Sequence, residues 1–123
     1  MDVQVIADQY IRLCAQLCQK PSDYTKENVR KHNKAMRELL RLTDEIKRSP
    51  EIMGAVFSVL LNQSDAYVRQ NAATTCLNMG IHTAKAVGIL EQISKSKDRM
   101  AAMGAQRTLR IWKGELDANR PDL

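Results

Sequence analysis

Histidine and cysteine are the side chains of this chain best suited to catalysis or metal binding, and both are scarce. His32 and His82 are the only histidines, and neither has a neighbouring Ser, Cys or acidic residue at a spacing typical of a catalytic relay. Cys14 and Cys18 share a helical face, and His32 or Cys76 could complete a zinc site with them. Both thiols also fall on an apolar stripe, where buried structural cysteines are common. With no phosphate-binding glycine loop either, the chain is predicted to be no enzyme and to hold neither metal nor cofactor.

A column of basic residues is the sharper chemical signal. Its spacings of four, three and four place the side chains along one helical face, which comprises Arg30, Lys34, Arg37 and Arg41. Like charges so aligned weaken a helix by tenths of a kcal/mol per pair, which suggests a counter-charge on a partner. The alternative is a solvated face on which Glu27 offsets Lys31 and Glu38 offsets Lys34.

The composition favours a small helical domain. The 123 residues are 44% hydrophobic, enough for a modest core, while 4% aromatic residues, 5 Gly and 3 Pro argue against an all-β fold. The net charge of +5 is concentrated in residues 20–50 and 94–123, on either side of a nearly neutral middle. That distribution favours an acidic partner surface or a phosphate backbone.

The N-terminal residues are predicted to encode neither a signal peptide nor a membrane anchor. Met1–Val5 has no basic segment, and Asp8 and Arg12 interrupt the apolar residues that follow. No window approaches the eighteen apolar residues of a membrane span. Cysteines at helical core positions are expected to stay reduced, so we expect a cytoplasmic protein that does not contact membranes.

Three helices are predicted in the first half. The first covers about Val3 to Gln19 and is ended by residues 20–23. Thr25 is predicted to cap the second helix, and Ser49 with Pro50 to start a third that runs to Leu61. The predicted inward residues are Val3, Ile6, Tyr10, Leu13, Cys14, Leu17 and Cys18 in the first helix, Val29, Met36, Leu39, Leu40 and Ile46 in the second, and Ile52, Ala55, Val56, Val59 and Leu60 in the third.

Three more helices are predicted in the second half. Ser64 is expected to cap the fourth, which ends at Met79 before Gly80; Thr83 and Asp98 are expected to cap the fifth and sixth. The inward residues are Val68, Ala72, Ala73, Cys76 and Leu77, then Ala86, Val87, Leu90 and Ile93, then Ala101, Ala105, Thr108, Leu109 and Trp112. Residues 1–114 would form one helical domain, and residues 115–123 a polar tail.

The helices show a degenerate internal repeat. A shift of 32 positions pairs Val68 with Met100 and Ala72 with Gly104, and a shift of 37 brings the second helix into the same register. If the second helices of three hairpins line one concave face, their exposed columns form a continuous surface for a partner. The predicted binding residues are Arg30, Lys34, Arg37, Arg41, Tyr67, Asn71, Thr74, Asn78, Arg107 and Arg110.

The segment from Leu60 to Leu77 resembles a HEAT repeat. A Leu-Leu pair, a polar corner, Asp65, Val68-Arg69 and the Ala72-Ala73 pair carry this resemblance, with a weaker echo from Leu90 to Leu109. It implies a short HEAT-like α-α superhelix of about six helices in three antiparallel hairpins, a kind of fold that binds macromolecules. Lys97 and Met100-Ala101 depart from the pattern, which puts the usual Asp-to-Arg link of that repeat in doubt.

Taken whole, the chain also resembles a group of small bacterial HEAT-like proteins of unknown function found among immunity proteins of polymorphic toxin systems. Its tyrosine-containing N-terminal helix, the central run from Leu60 to Ala73 and the closing residues 108–114 carry this likeness. The resemblance implies a cytoplasmic antidote that binds a cognate toxin domain and blocks its active site. The alternative is a nucleic-acid-binding protein that uses the same basic column on phosphates, with Tyr67 as the one aromatic candidate for stacking.

Overall fold

A computed structural model of the protein describes residues 2–18 and 25–115, without the side chain of Cys18. Every regular element within those residues is an α-helix, which confirms the predicted all-α class. The helices are α1 (Val3–Cys18), α2 (Lys26–Lys47), α3 (Pro50–Leu61), α4 (Ala66–Met79), α5 (Thr83–Ile93) and α6 (Arg99–Trp112). The predicted position of Gln19, the stop at residues 20–23 and tail residues 116–123 lie outside the described part.

The chain divides into two compact units, Met1–Leu60 and Leu61–Leu123. We describe each unit by itself. The single domain over residues 1–114 and its HEAT-like superhelical arrangement therefore stay predictions.

The first unit is built on the packing of α1 against α2 and on an aromatic pair. The rings of Tyr10 and Phe57 meet edge to face, with centroids 5.8 Å apart and planes at 80°. Both side chains are fully buried, and such a pair adds about 0.5–1.5 kcal/mol to what burial alone provides. The predicted inward residues of α1 are confirmed for Ile6, Tyr10, Leu13, Cys14 and Leu17.

The predicted inward face of α2 is wrong for three of its five residues. Val29, Met36 and Leu40 are exposed, whereas Leu39 and Ile46 are buried as predicted, with Ala35 and Leu42 beside them. Adjacent residues of a helix point about 100° apart, so Leu39 and Leu40 cannot both face one neighbour. The charged helix buries only a narrow strip.

The predicted inward face of α3 needs a smaller correction. Val56 and Leu60 are buried as predicted, but Ala55 is exposed and Phe57, which was not predicted, is buried. The buried face is thus centred about one residue later than the pattern indicated. Ser49 begins α3 as predicted, since its Oγ accepts a hydrogen bond from the Ile52 amide at 3.4 Å.

In the second unit α4 packs against both α5 and α6, and α5 also packs against α6. The predicted core is confirmed in α4 and for Ala86, Leu90 and Ile93 of α5, where Ile89 is buried as well. In α6 Trp112 is half exposed rather than buried, because the helix ends there and no further turn covers the ring.

Two predicted helix caps are displaced by one residue. Asp65, not Ser64, caps α4, with its carboxylate accepting from the Val68 amide at 2.9 Å. His82, not Thr83, precedes α5; it has a left-handed φ of 47° and makes no side-chain cap bond. Thr25 and Asp98 cap α2 and α6 as predicted, and Gly80 ends α4 with a φ of 71°, a conformation that suits glycine.

The helix boundaries recur after 33 residues rather than the predicted 32. α3 begins at Pro50 and α5 at Thr83, while the capping carboxylates of α4 and α6 belong to Asp65 and Asp98. This register pairs buried Val68 with buried Ala101, whereas the shift of 32 paired it with exposed Met100. Asp98 thus occupies the position of Asp65, which the sequence comparison had assigned to Lys97.

Candidate partner-binding surfaces

The basic column of α2 is displayed to solvent over its whole length. Thr25 fixes the start of the helix, because its Oγ1 accepts from the Asn28 amide at 3.2 Å. Ala35, Leu39, Leu42 and Ile46 then anchor the opposite side. All four predicted residues of the column are exposed, namely Arg30, Lys34, Arg37 and Arg41.

Local carboxylates offset only part of this charge. Lys31 pairs with Glu27 at 3.3 Å and Lys34 with Glu38 at 4.0 Å, the two pairs expected from the sequence. Such exposed pairs contribute about 0.3–0.5 kcal/mol each. Within the described residues Arg30, Arg37 and Arg41 have no ion-pair partner. The solvated-face interpretation therefore accounts for Lys34, whereas three guanidinium groups of the column lie outside ion-pair distance of the described carboxylates.

An exposed apolar row runs beside the basic column. Val29, Met36 and Leu40 are 44%, 40% and 58% exposed. Each directly precedes an arginine of the column, so the two rows lie side by side along α2. The sequence carried a signal for this row: three apolar-Arg pairs recur with spacings of seven and four, which marks a second column about 100° around the helix from the arginines.

The predicted column of α4 is more enclosed. Tyr67, Asn71 and Thr74 are half-buried, and only Asn78 is exposed. The hydroxyl of Thr74 takes part in two internal contacts, since it accepts from Gln70 Nε2 at 2.9 Å and lies 2.9 Å from Thr108 Oγ1 of α6. Thr74 therefore belongs to the packing of the second unit as much as to its surface.

A directed chain of hydrogen bonds joins α4 to α6. The Thr108 hydroxyl donates to the Gly104 carbonyl at 2.9 Å, which uses its single proton. Thr74 must then donate to Thr108, and Gln70 donates to Thr74. Gln70 is the one buried polar residue in the described part of the chain, and its amide nitrogen is satisfied by this chain.

Gly104 makes room for that glutamine. A Cβ built at residue 104 would lie 2.7 Å from Cδ and Oε1 of Gln70. Glycine thus allows α6 to accommodate a polar side chain of α4 that a larger residue would displace. The sequence comparison paired Gly104 with Ala72 as two small residues, but its contact is with Gln70.

A third surface lies on α6 and mixes arginine with methionine. Arg110 is exposed and Arg107 half-buried, and they follow Met100 and Met103 along the helix at spacings of three, four and three. Met103 is the most exposed large apolar side chain of the described residues, at 69%. Flexible methionine beside arginine is a common composition of protein-binding surfaces.

The 33-residue register changes one predicted column. It places Arg107 of α6 at the position of Thr74, whereas Arg110 corresponds to buried Leu77. The predicted shift of 32 positions pairs Thr74 with Gln106 instead, so the predicted column is off by one at α6. The continuity of the α2 column with those of α4 and α6 stays a prediction.

Comparison with known families places the chain in a group. The family model described as Domain of unknown function (DUF2019) matches residues 8–113. The chain belongs to the DUF2019 family. The match includes all ten predicted binding residues and the exposed apolar row of α2. No curated protein and no solved structure matches the chain.

Two cysteine side chains of this DUF2019 chain lie in its hydrophobic core. Cys14 and Cys76 are buried, and desolvation raises the pKa of Cys76 to about 12. Among residues 2–18 and 25–115 no three His, Cys, Asp or Glu side chains gather in a way that could hold a metal ion. The side chain of Cys18, a member of the considered zinc set, is outside the described residues.

None of the described helices has the length and apolarity needed to cross a lipid bilayer. The longest described helix, α2, has 22 residues, and its charged residues include Arg30, Lys34, Arg37 and Arg41.

Proposed function

We propose that this DUF2019 protein is a bacterial immunity protein that binds a cognate toxin domain in the cytoplasm and neutralises it by covering its active site. The α2 surface carries the proposal: three arginines that make no ion pair within the described residues lie beside three exposed apolar side chains. Burial of the apolar row supplies affinity, and the arginines favour an acidic patch. Inhibition by occlusion requires no catalytic group from this chain.

A nucleic-acid partner is the competing function, because the same arginines suit phosphates. The apolar row argues for protein instead, since Val29, Met36 and Leu40 gain nothing from a phosphate backbone. Salt separates the two. Phosphate binding should fall by orders of magnitude between low and moderate salt, whereas a packed protein interface should lose much less.

The direct test is a growth assay with the product of the reading frame next to the one encoding this chain. Expressed alone in a bacterial host, that product should arrest growth, and coexpression of this chain should restore it. A neighbour that does not arrest growth, or one that arrests it regardless of this chain, contradicts the proposal.

A charge-reversal pair locates the binding surface. Arg37→Glu with Arg41→Glu should weaken capture of the toxin domain about tenfold or more, since each removed charge-assisted contact costs about 1.5–3 kcal/mol. Helix content by circular dichroism should not change, because both side chains are exposed. Arg12→Glu with Lys95→Glu is the matched control, with the same change in net charge at exposed residues that are not part of α2. Equal capture by both variants would rule out the α2 surface.

A further inference from the structure

Two parallel rows of side chains on α2 define what can dock there. The apolar row is Val29, Met36 and Leu40, and the arginine row is Arg30, Arg37 and Arg41. Both rows have positions i, i+7 and i+11, which share one helical face and extend about 16 Å along the axis. A linear surface of this kind matches an elongated partner segment.

A second copy of this chain is a poor occupant of this surface. Two α2 helices joined through their apolar rows would also bring two arginine rows together. Like charges facing each other across an interface oppose association. None of the described carboxylates of the chain holds Arg30, Arg37 or Arg41 in an ion pair, so these guanidinium groups would carry their charge into such an interface.

An anionic membrane fits less well than a protein. Three partly exposed apolar residues are a small area for insertion, and interfacial helices bind in proportion to the apolar area they bury.

A helix is the elongated segment whose side chains best match these rows. Two helices pack by setting side-chain ridges of one into grooves of the other, so apolar residues at i, i+4, i+7 and i+11 can cover Val29, Met36 and Leu40. Carboxylates beside those residues would meet the three guanidinium groups in bidentate pairs. A shallow depression lined by Lys26, Val29, Arg30 and Asn33 offers a seat for the first apolar side chain.

From these contacts we infer that α2 docks an acidic amphipathic helix of the partner protein. This inference rests on the proposed function, because it names the partner chemistry of the same surface. Apolar side chains of the partner cover the row of Val29, Met36 and Leu40, and its Asp and Glu residues pair with Arg30, Arg37 and Arg41. A polyanion without apolar residues satisfies only one of the two rows.

A synthetic peptide tests the chemistry without the natural partner. The probe is a fluorescein-labelled helix of about 18 residues, roughly 27 Å long, with Leu at i, i+4, i+7 and i+11 and Glu on both flanks. Its anisotropy is measured against the full-length chain. Saturable binding with a Kd below about 100 µM is expected, and the same peptide with every Glu replaced by Lys should not bind. No saturation up to about 1 mM, or equal binding of the lysine peptide, would overturn the inference.

Variants of each row show whether both are used. Met36→Ser with Leu40→Ser, and separately Arg37→Glu with Arg41→Glu, should each weaken peptide binding about tenfold or more. Met103→Ser with Arg110→Glu on α6 is the matched control, because it makes the same kinds of change on another exposed face and should leave the affinity unchanged. A loss caused by the arginine variant alone, or preference for phosphatidylglycerol vesicles or duplex DNA over the peptide, would contradict helix docking.

The outcome is separable from that of the toxin assay. Growth rescue that survives the Met36 and Leu40 substitutions, with no peptide binding, refutes helix docking but leaves the immunity function standing. Peptide binding that follows the variants, with no toxic neighbour, supports the docking surface and refutes the immunity function.

Discussion

Helices α2 and α4 carry columns of polar residues with the same four-three-four spacing, yet their packing differs. The column of α2 is exposed from Arg30 to Arg41, whereas that of α4 is mostly half-buried. The Thr74 hydroxyl of the α4 column contacts α6 inside the second unit. The cause is the number of neighbours within each unit: α4 packs against α5 and α6, while α2 packs against α1. Equal periodicity therefore does not imply equal accessibility.

The largest expected difference between the two helices is in thiol reactivity. In a chain with Cys14→Ala and Cys18→Ala, Cys76 on α4 is the remaining thiol; the matched variant adds Cys76→Ala and places a thiol on α2 by Met36→Cys. At pH 8 iodoacetamide should alkylate Cys76 about a thousandfold more slowly, because a pKa of about 12 leaves far less thiolate than an ordinary value near 8.5. Mass spectrometry of timed samples gives both rates. Equal rates in the native state would show that α4 is not enclosed, and in denaturant the rates should converge.

The same thiol predicts a pH dependence of stability. The folded pKa is raised, so the unfolded chain releases this proton near pH 9.0 and the folded chain only near 12. The free energy of unfolding is therefore unaffected by Cys76 well below pH 9.0 and falls above it. Urea unfolding at pH 8 and pH 10 should show a smaller loss in the Cys76→Ala variant than in its parent. A loss of equal size would mean that other groups cause the dependence.

The next largest difference lies within α2, between two adjacent leucines. Leu39 is 6% exposed and Leu40 58%. Leu39→Ala should lower the free energy of unfolding by about 2–4 kcal/mol, since it removes buried methyl groups and leaves a cavity. Leu40→Ala should cost less than about 1 kcal/mol. Urea denaturation measures both. Similar losses would mean that Leu40 is covered in solution, which would remove one residue of the apolar row.

Sequence periodicity located the helices better than it located their neighbours. The bounds of α3 and the caps at Thr25 and Asp98 followed from local rules, because capping and proline act within one turn of the helix. Ser64 and Asp65 are both good caps, and the choice between them depends on which side-chain oxygen reaches the Val68 amide. The backbone conformation of the corner that precedes α4 determines this geometry, and the spacing of residues in the sequence does not specify that conformation.

Only the charged residues of the candidate site were predictable from the sequence. Basic spacing identified Arg30, Arg37 and Arg41, since charge and period together indicate an exposed face. The apolar row was assigned to the core because a hydrophobic residue is more often buried than exposed. The width of the buried strip of a helix decides whether its apolar residues are covered. A helix that packs against one neighbour buries a narrow strip, and apolar residues outside that strip remain on the surface.

The smallest expected effect tests the close contact of α4 with α6. Gly104→Ala should cost about 1–2 kcal/mol, because the added Cβ meets Gln70, whose amide is held by Thr74. Gly88→Ala in α5 is the matched control: nothing lies within 4 Å of its Cβ, so the higher helix propensity of alanine should stabilise the chain by about 0.5–1 kcal/mol.

Removing the glutamine should reverse the sign of the first of these effects. In a Gln70→Ala background the Cβ at residue 104 no longer meets the side-chain atoms that it approached, so Gly104→Ala should become neutral or stabilising by up to about 1 kcal/mol. Thermal unfolding of the four chains of this double-mutant cycle measures the coupling. A cost at residue 104 that persists without Gln70 would place the constraint in the backbones of α4 and α6 instead of in the buried amide. The partial burial of the α4 column would then depend only on the distance between α4 and α6. The hydrogen-bond chain through Thr74 and Thr108 would be a consequence of that distance.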